Sequence, residues 1–266
     1  MRILVRMSDD EGRLHQHERH IRILDEVRTH PRVEVAALAE QLEVTAETIR
    51  RDLSALERRG LVRRIHGGAV HVERLGYEPS VSVRREQRTT EKERIGRAAA
   101  DLLPDGGSIV VDAGTTTLEL VRHLPSDISL TVVTNSLPAA AILADFSRVE
   151  VVVLGGRMRG ITHATVGESA TTVLRELVID VAFMGTNGIT PEYGLTTPDA
   201  DEARVKAAMI AAAKQVVCLT DHSKMGLSQL CRFASLDQVD VIITDAGLDN
   251  ALTDELTLAG PEVIRA

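Results

Sequence analysis

Only Cys218 and Cys231 among the 266 residues are cysteine, and no Cys-x-x-Cys or Cys/His cluster accompanies them. Two thiols cannot build a disulfide framework, and without such clusters no metal site is expected. Long apolar runs are also missing. The stretch 149–154 is among the longest and carries Glu150 inside it, far short of a membrane span. The opening Met1-Arg-Ile-Leu-Val-Arg meets Asp9, Asp10 and Glu11 before a signal-peptide core can form, so no leader is expected. Gly at 19, Pro at 8 and 26% charged residues exclude fibrous and disordered compositions. There is no internal repeat, and no low-complexity tract beyond the Ala-rich 207–213. The expectation is a soluble, cytoplasmic protein of one large or two modest domains, with no membrane partner and no cofactor.

Lysine is absent from the first 70 residues, which carry 13 Arg against 12 acidic residues, a net of +1, while the whole chain is at −8. Within 50–66 the asymmetry sharpens: Arg50, Arg51, Arg58, Arg59, Arg63 and Arg64 face only Asp52 and Glu57. A basic stripe on an acidic protein suggests a polyanionic partner for that stripe alone. The period here is helical. Ile21, Leu24 and Val27 share a face, and Pro31 stops that helix. Val35, Leu38, Ala39 and Leu42 fall at i, i+3, i+4, i+7. Glu43-Val44 makes a tight connection, and Thr45 can cap a third helix whose buried stripe is Ile49, Leu53 and Leu56. Thr48, not Glu or Gln, stands three residues after Thr45, so no capping box closes it. Leu61-Val-Arg-Arg-Ile-His-Gly-Gly-Ala-Val70 then reads as a small β-hairpin.

Two short helices and a tight turn, the second helix basic on its outer side, make a helix-turn-helix that binds double-stranded DNA. Thr45, Thr48, Arg50, Arg51 and Ser54 are the candidate contacts on that helix, since Arg pairs bidentately with guanine and hydroxyls are tolerant. Arg63, Arg64 and His66 on the hairpin suit phosphates or the minor groove, and Gly67 lets its turn approach a backbone.

From Glu91 onward the pattern changes. A helix is expected over 91–103 and another over 115–124. Short β-branched strands recur at 108–112, 130–134, 149–154, 181–185, 216–220 and 239–244, with helical stretches between most of them. That alternation predicts a parallel sheet covered on both faces. The stretch 72–90 lacks a clear period and reads as a linker between a domain over 16–71 and one over 91–266. Ligands in such sheets sit outside the carboxyl ends of the strands. Those ends are Asp112-Ala-Gly-Thr-Thr-Thr117, Thr134-Asn-Ser136, Gly155-Gly-Arg157, Gly185-Thr-Asn-Gly188, Asp221-His-Ser-Lys224 and Thr244-Asp-Ala-Gly247. Gly114 followed by Thr115, Thr116 and Thr117 at a helix start is a phosphate cradle. Thr134, Asn135 and Ser136 open the next helix similarly; Gly155 and Gly156 form a turn; Arg157 and Lys224 add positive charge; Asp112 and Asp221 suit sugar hydroxyls. No Gly-x-Gly-x-x-Gly and no Gly-x-x-x-x-Gly-Lys-Ser/Thr is present, which disfavours nucleotides.

Val44-Thr-Ala-Glu-Thr-Ile-Arg-Arg-Asp-Leu and Leu56-Glu-Arg-Arg-Gly-Leu-Val-Arg-Arg-Ile-His-Gly-Gly-Ala closely resemble the DeoR family of bacterial transcriptional repressors. Asp112-Ala-Gly-Thr-Thr-Thr, Val133-Thr-Asn-Ser, Leu154-Gly-Gly-Arg, Asp180-Val-Ala-Phe-Met-Gly-Thr-Asn-Gly, Gly194-Leu-Thr-Thr and Asp221-His-Ser-Lys extend the resemblance to about 17–245. It implies an α+β winged helix-turn-helix domain followed by an α/β parallel-sheet sensor domain sharing its fold with ribose-5-phosphate isomerase and glucosamine-6-phosphate deaminase. It further implies a phosphorylated sugar as effector, with Gly185 among the binding residues. Gly194-Leu-Thr-Thr-Pro-Asp199, Glu202 and Val205-Lys-Ala-Ala-Met209 look most like actinobacterial repressors beside fructose-utilisation genes, which makes Glu202 a candidate effector ligand and fructose 1-phosphate the first effector to try. Operators with paired half-sites imply a homodimer or homotetramer. Two rivals stand beside the repressor. One is a sugar-phosphate isomerase-like enzyme with an appended DNA-binding domain, using Asp112, Glu202, Asp221 and Lys224 for proton transfer; the other is an activator using the same DNA contacts.

Overall fold

Ile23, Val27, Leu38, Leu42, Ile49, Leu53 and Leu56 recur at helical spacing, and burying that stripe draws three helices around one small core. The computed structural model describes residues 16–30, 32–58, 61–65, 67–71 and 78–266, and the chain divides into two units at Arg74/Leu75. In the first unit α1 (Gln16–Thr29) is followed by β1 (Val33–Glu34), α2 (Val35–Gln41), α3 (Ala46–Arg58), β2 (Val62–Ile65) and β3 (Gly68–His71). Glu43 adopts a left-handed φ of 52°, which makes the α2–α3 connection tight. Thr45 accepts the Thr48 backbone N–H at 3.2 Å, capping α3. Asp52 lies on the inner side of α3, almost fully buried, where Arg19 Nε donates to it at 2.6 Å and His20 Nε2 lies 3.0 Å away. These contacts fasten α1 to α3.

The expected hairpin is there, as β2 paired antiparallel with β3. It gains a third strand: the two residues of β1 pair with Ala69 and Gly68. Gly67 turns with φ +76°, and its carbonyl accepts the Val35 N–H at 2.9 Å. At Gly68 a Cβ would overlap the Val33 carbonyl, so only glycine lets β1 and the hairpin approach this closely.

The second unit begins with α4 (Val81–Glu86) and α5 (Thr89–Ala100). Part of the expected linker is therefore folded into this unit, Glu78 buried and Val81 N–H donating to the Ile161 carbonyl at 2.7 Å. The chain continues through β4 (Ser108–Val111), α6 (Thr115–Arg122), β5 (Leu130–Thr134), α7 (Leu137–Leu143) and β6 (Val149–Val153). A hairpin of β7 (Arg157–Arg159) and β8 (Ala164–Val166) precedes α8 (Glu168–Arg175) and β9 (Ile179–Gly185). Next come β10 (Gly188–Thr190), β11 (Gly194–Thr197), α9 (Ala200–Ala212), β12 (Ala213–Leu219) and β13 (Cys231–Ala234). The chain closes with β14 (Val241–Thr244), α10 (Asn250–Leu258) and β15 (Glu262–Arg265).

Seven strands form one parallel sheet in the order β15-β14-β12-β9-β4-β5-β6, while β10, β11 and β13 make a separate antiparallel sheet. Successive residues of β9 serve opposite faces: Val181 and Phe183 join the core beneath α5, α6 and α7, and Ala182 and Met184 join the core beneath α8 and α9. This double burial explains why the strands read as continuous apolar runs. The fold class expected from the sequence is the one observed.

The other end of the sheet is tied by Asp180. It accepts the Ser108 N–H at 2.9 Å and Lys214 Nζ at 2.8 Å, joining the starts of β4, β9 and β12. Lys214 and the Ser108 donors hold its carboxyl down at about 2, against an ordinary 3.8. A depressed folded value means the contribution is full above the ordinary pKa and is lost as pH falls through about 2. Urea denaturation across pH 5 to 2 is expected to show stability falling with acid, and Asp180→Asn is expected to flatten that fall.

Candidate functional site

The outer side of α3 presents Arg50 and Arg51, both exposed and both within ion-pair reach of Glu47, at 3.6 Å and 3.5 Å. Thr45 and Thr48 sit at the helix start with their hydroxyls 2.9 Å apart. Ser54 is already engaged: its hydroxyl donates to the Arg50 carbonyl at 2.8 Å and accepts Arg64 Nη1 at 3.0 Å. Arg64 N–H also donates to Glu57 at 2.9 Å, so Ser54 and Arg64 brace the hairpin against the helix. Arg63 takes its place in β2 and Gly67 in the turn, while His66 lies outside the described residues.

In the second unit, all seven parallel strands deliver their carboxyl ends to one rim. β4 and β9 are neighbours whose chains leave in opposite directions, toward β5 and toward β12. A crevice opens at such a switch point. Asp112, just past β4, meets Gly185 at the end of β9: the Gly185 N–H donates to Asp112 Oδ2 at 3.0 Å. Lys206 Nζ donates to the same oxygen and, at 3.1 Å, to the Gly185 carbonyl. Asp112 is 1% exposed and Lys206 3%. Burial pushes the Asp112 carboxyl up, and Lys206 offsets only part of that. Asp112 Oδ1 has no hydrogen-bond partner.

Glu202, one helical turn before Lys206 on α9, accepts the Thr162 hydroxyl at 2.6 Å and Arg159 Nη1 at 2.5 Å. Burial raises its pKa, but Lys206, Thr162 and Arg159 outweigh that and hold it below the usual carboxylate range. Arg159 also reaches Glu78 at 3.0 Å and Asp199 at 3.3 Å. Asn187 completes the group, accepting the Thr197 hydroxyl at 3.1 Å.

Several expected rim residues brace the crevice. Thr117 donates to the Asp112 carbonyl at 2.7 Å and Thr134 to the Val111 carbonyl at 2.6 Å. Asn135 accepts the Ala113 N–H at 2.9 Å, and Ser136 caps α7 through the Ala139 N–H at 3.2 Å. Gly114 precedes α6 with no side chain capping it, leaving the positive end of that helix, with Thr115 and Thr116, at the rim. Gly155 and Gly156 are exposed; Gly156, at φ +132°, turns the chain where a Cβ would overlap the Val166 carbonyl. Arg157 does not join the buried group. It is 63% exposed and pairs with Asp201 at 2.7 Å, while Arg159, on the same face of β7, takes the inner place.

Asp221 lies buried at the end of β12, accepting the Ser223 N–H at 3.0 Å, with Lys224 half-buried beside it. Lys92, 6% exposed, donates to the Gln87 carbonyl at 2.6 Å and to the Arg84 carbonyl. Burial, helped by Lys224 and Arg84, lowers its pKa to about 8 despite the pull of Asp221. Lys206, Arg159, Glu78, Asn187 and Lys92 were not singled out by motif. Two carried a readable signal: Glu202, Val205, Lys206 and Met209 fall at i, i+3, i+4, i+7, as do Lys92, Ile95, Gly96 and Ala99. Both stripes are buried and include charge.

Among the described residues there is no group of three or more His, Cys, Asp or Glu arranged to hold a metal, and no helix long and apolar enough to cross a membrane. The model of the DeoR-like helix-turn-helix domain matches residues 19–74, and that of the DeoR C-terminal sensor domain matches 87–246. The chain belongs to the DeoR family of transcriptional regulators. The HTH-type transcriptional regulator GlpR of Haloferax volcanii is 40% identical, over 93% of this chain and 96% of its own length. The HTH-type transcriptional repressor GlcR of Bacillus subtilis is 35% identical, over 94% and 96%. Among solved structures, ribose 5-phosphate isomerase A of Methanocaldococcus jannaschii matches with a TM-score of 0.37 at 19% identity, over 50% of this chain and 53% of that one.

Removing one partner of a buried ion pair leaves the other charge uncompensated, typically at ~3–5 kcal/mol. Lys206→Met is therefore expected to lower the unfolding free energy by roughly that amount, measured by urea denaturation at pH 7. Asp112→Asn added to Lys206→Met is expected to restore much of it, because the stranded carboxylate is then gone.

Proposed function

We propose that this regulator is a sequence-specific repressor of a sugar-utilisation operon, controlled by a phosphorylated sugar. The observation that carries the reading is the switch-point crevice: the uncapped start of α6 for a phosphate, and the free Asp112 Oδ1 for a sugar hydroxyl, within one rim. Asp112, Gly114, Thr115, Thr116, Gly185, Glu202, Asp221 and Lys224 are the proposed effector-facing residues, with Thr117, Thr134, Asn135 and Ser136 shaping the crevice. Fructose 1-phosphate is the first candidate. GlcR carries the word repressor in its name, which supports that sign of regulation over activation. Thr45, Thr48, Arg50, Arg51, Ser54, Arg63, Arg64, His66 and Gly67 are the proposed DNA contacts, and operators with two half-sites require a homodimer or homotetramer. Such a protein acts on cytoplasmic DNA.

A ligand changes DNA affinity only as far as its own affinity differs between the free and DNA-bound forms. Fluorescence anisotropy on DNA from the upstream region, at fixed salt, is expected to show tight binding that fructose 1-phosphate weakens. Insensitivity to every sugar phosphate would remove the sensing half of the proposal. Arg51→Ala, if Arg51 meets a phosphate, is expected to weaken binding alike on all sequences and to reduce the slope of log K against log salt by about 1. Loss confined to one base position would make Arg51 a base reader instead.

A further inference from the structure

We propose that Arg84, on α4 at the start of the second unit, is itself an effector ligand whose guanidinium edge binds the phosphate of the bound sugar. The inference rests on the sugar-phosphate reading above and adds a residue from a segment with no strand end. Glu78, just before α4, binds Arg159, and Asn187 Nδ2 donates to it at 3.5 Å, so this segment is fixed to residues of the rim. α4 also packs against α6, the helix whose uncapped start lies there. The Arg84 side chain is only 14% exposed, and its Nε and Nη2 are buried with no hydrogen-bond partner. Glu78 Oε1 stands 3.8 Å from Nη2, beyond hydrogen-bond reach, and is shared with Asn187. Nε and Nη2 form one edge of the guanidinium, the pair that grips two oxygens of a phosphate at once.

Buried donors without acceptors are costly, and an anion that supplies two acceptors removes that cost. Charged groups of both signs lie around it. Lys92 donates to the Arg84 carbonyl, Lys224 lies near enough to depress the Lys92 pKa, and Arg88 Nε stands 3.6 Å from Asp221. Asp221 is already bonded to the Ser223 N–H and hydroxyl. Arg84, Arg88, Lys92 and Lys224 stand here beside Glu78, Glu91, Glu119 and Asp221, so it is the two unpartnered Arg84 donors that call for an anion. The phosphate would then be held by α4 as well as by the start of α6.

The test is calorimetric titration of the full chain with fructose 1-phosphate and, separately, with inorganic phosphate. Wild type, Arg84→Gln, Arg84→Lys and Arg85→Gln are compared, with thermal unfolding of each ligand-free protein confirming the fold. Arg85 is exposed on the same helix and serves as control. Arg84→Gln is expected to weaken both ligands about tenfold to a hundredfold, Arg84→Lys to recover part of that, and Arg85→Gln to match wild type. Weakening of fructose 1-phosphate without weakening of phosphate would move Arg84 from the phosphate to the sugar and overturn the assignment. Unchanged titrations for Arg84→Gln and Arg84→Lys would overturn it outright while leaving the sugar-phosphate reading intact. Should Arg84→Gln fail to fold, Arg84→Lys decides: wild-type affinity there refutes the need for the fork. If wild type binds neither ligand nor any other sugar phosphate, the reading beneath fails, and this inference with it.

Discussion

The ion pair between Asp112 and Lys206 is the interaction on which the sensor unit turns. Withdrawing two charges from water costs several kcal/mol per ion unless their geometry and remaining hydrogen bonds compensate. Here the Gly185 N–H serves the carboxylate, the Gly185 carbonyl serves the ammonium, and the Phe233 ring centre lies 5.3 Å from Lys206 Nζ. The pair therefore fixes three things together: the separation of β4 and β9 at their ends, the seat of α9, and the crevice between them. One carboxylate oxygen, Oδ1, is left without a hydrogen-bond partner.

From α9 the order spreads outward. Glu202 holds Arg159, Arg159 holds Glu78, and Glu78 belongs to the stretch that joins the two units. Each link is short and largely buried, so a displacement at one end cannot be absorbed by solvent rearrangement at the next. The first unit has a separate core and an anchor of its own in Asp52, which stands on the inner side of α3 and leaves the outer side to Arg50 and Arg51. The structural contacts and the proposed DNA contacts thus occupy opposite faces of one thirteen-residue helix.

Much of this was legible because it depends on local period. Ile49, Leu53 and Leu56 gave α3 its inner face, Thr45 its cap, and β-branched runs gave β4, β5, β6, β9, β12 and β14. What escaped has a common cause. β10 and β11 are short and rich in Gly and Thr, and β13 is four residues of no clear alternation, so nothing in their sequence distinguishes them from loops; β15 follows Gly260-Pro261 with only two apolar residues. The motif reading named the strand ends, which the structure gathers at one rim, and the hydroxyls of Thr117, Thr134 and Ser136 that it offered as ligands hydrogen-bond the backbone around them. It took Arg157 where Arg159 turns inward, because two arginines on one face of a short strand differ only in what stands opposite. Arg84 lay in a stretch with no clear period, where side-chain burial is decided by packing against α6, whereas Lys92 stood on the buried stripe of an expected helix.

Gly68 carries a consequence for genetics. Any side chain there drives the hairpin from β1, yet the sensor unit, with its own two cores, does not depend on that contact. On the proposed function, alleles at this codon would thus yield a protein that keeps its effector site but is blind to its operator. On the proposed homo-oligomer, a cell holding both copies would see such a subunit join wild-type partners and spoil their complexes, so the defect would be inherited as dominant.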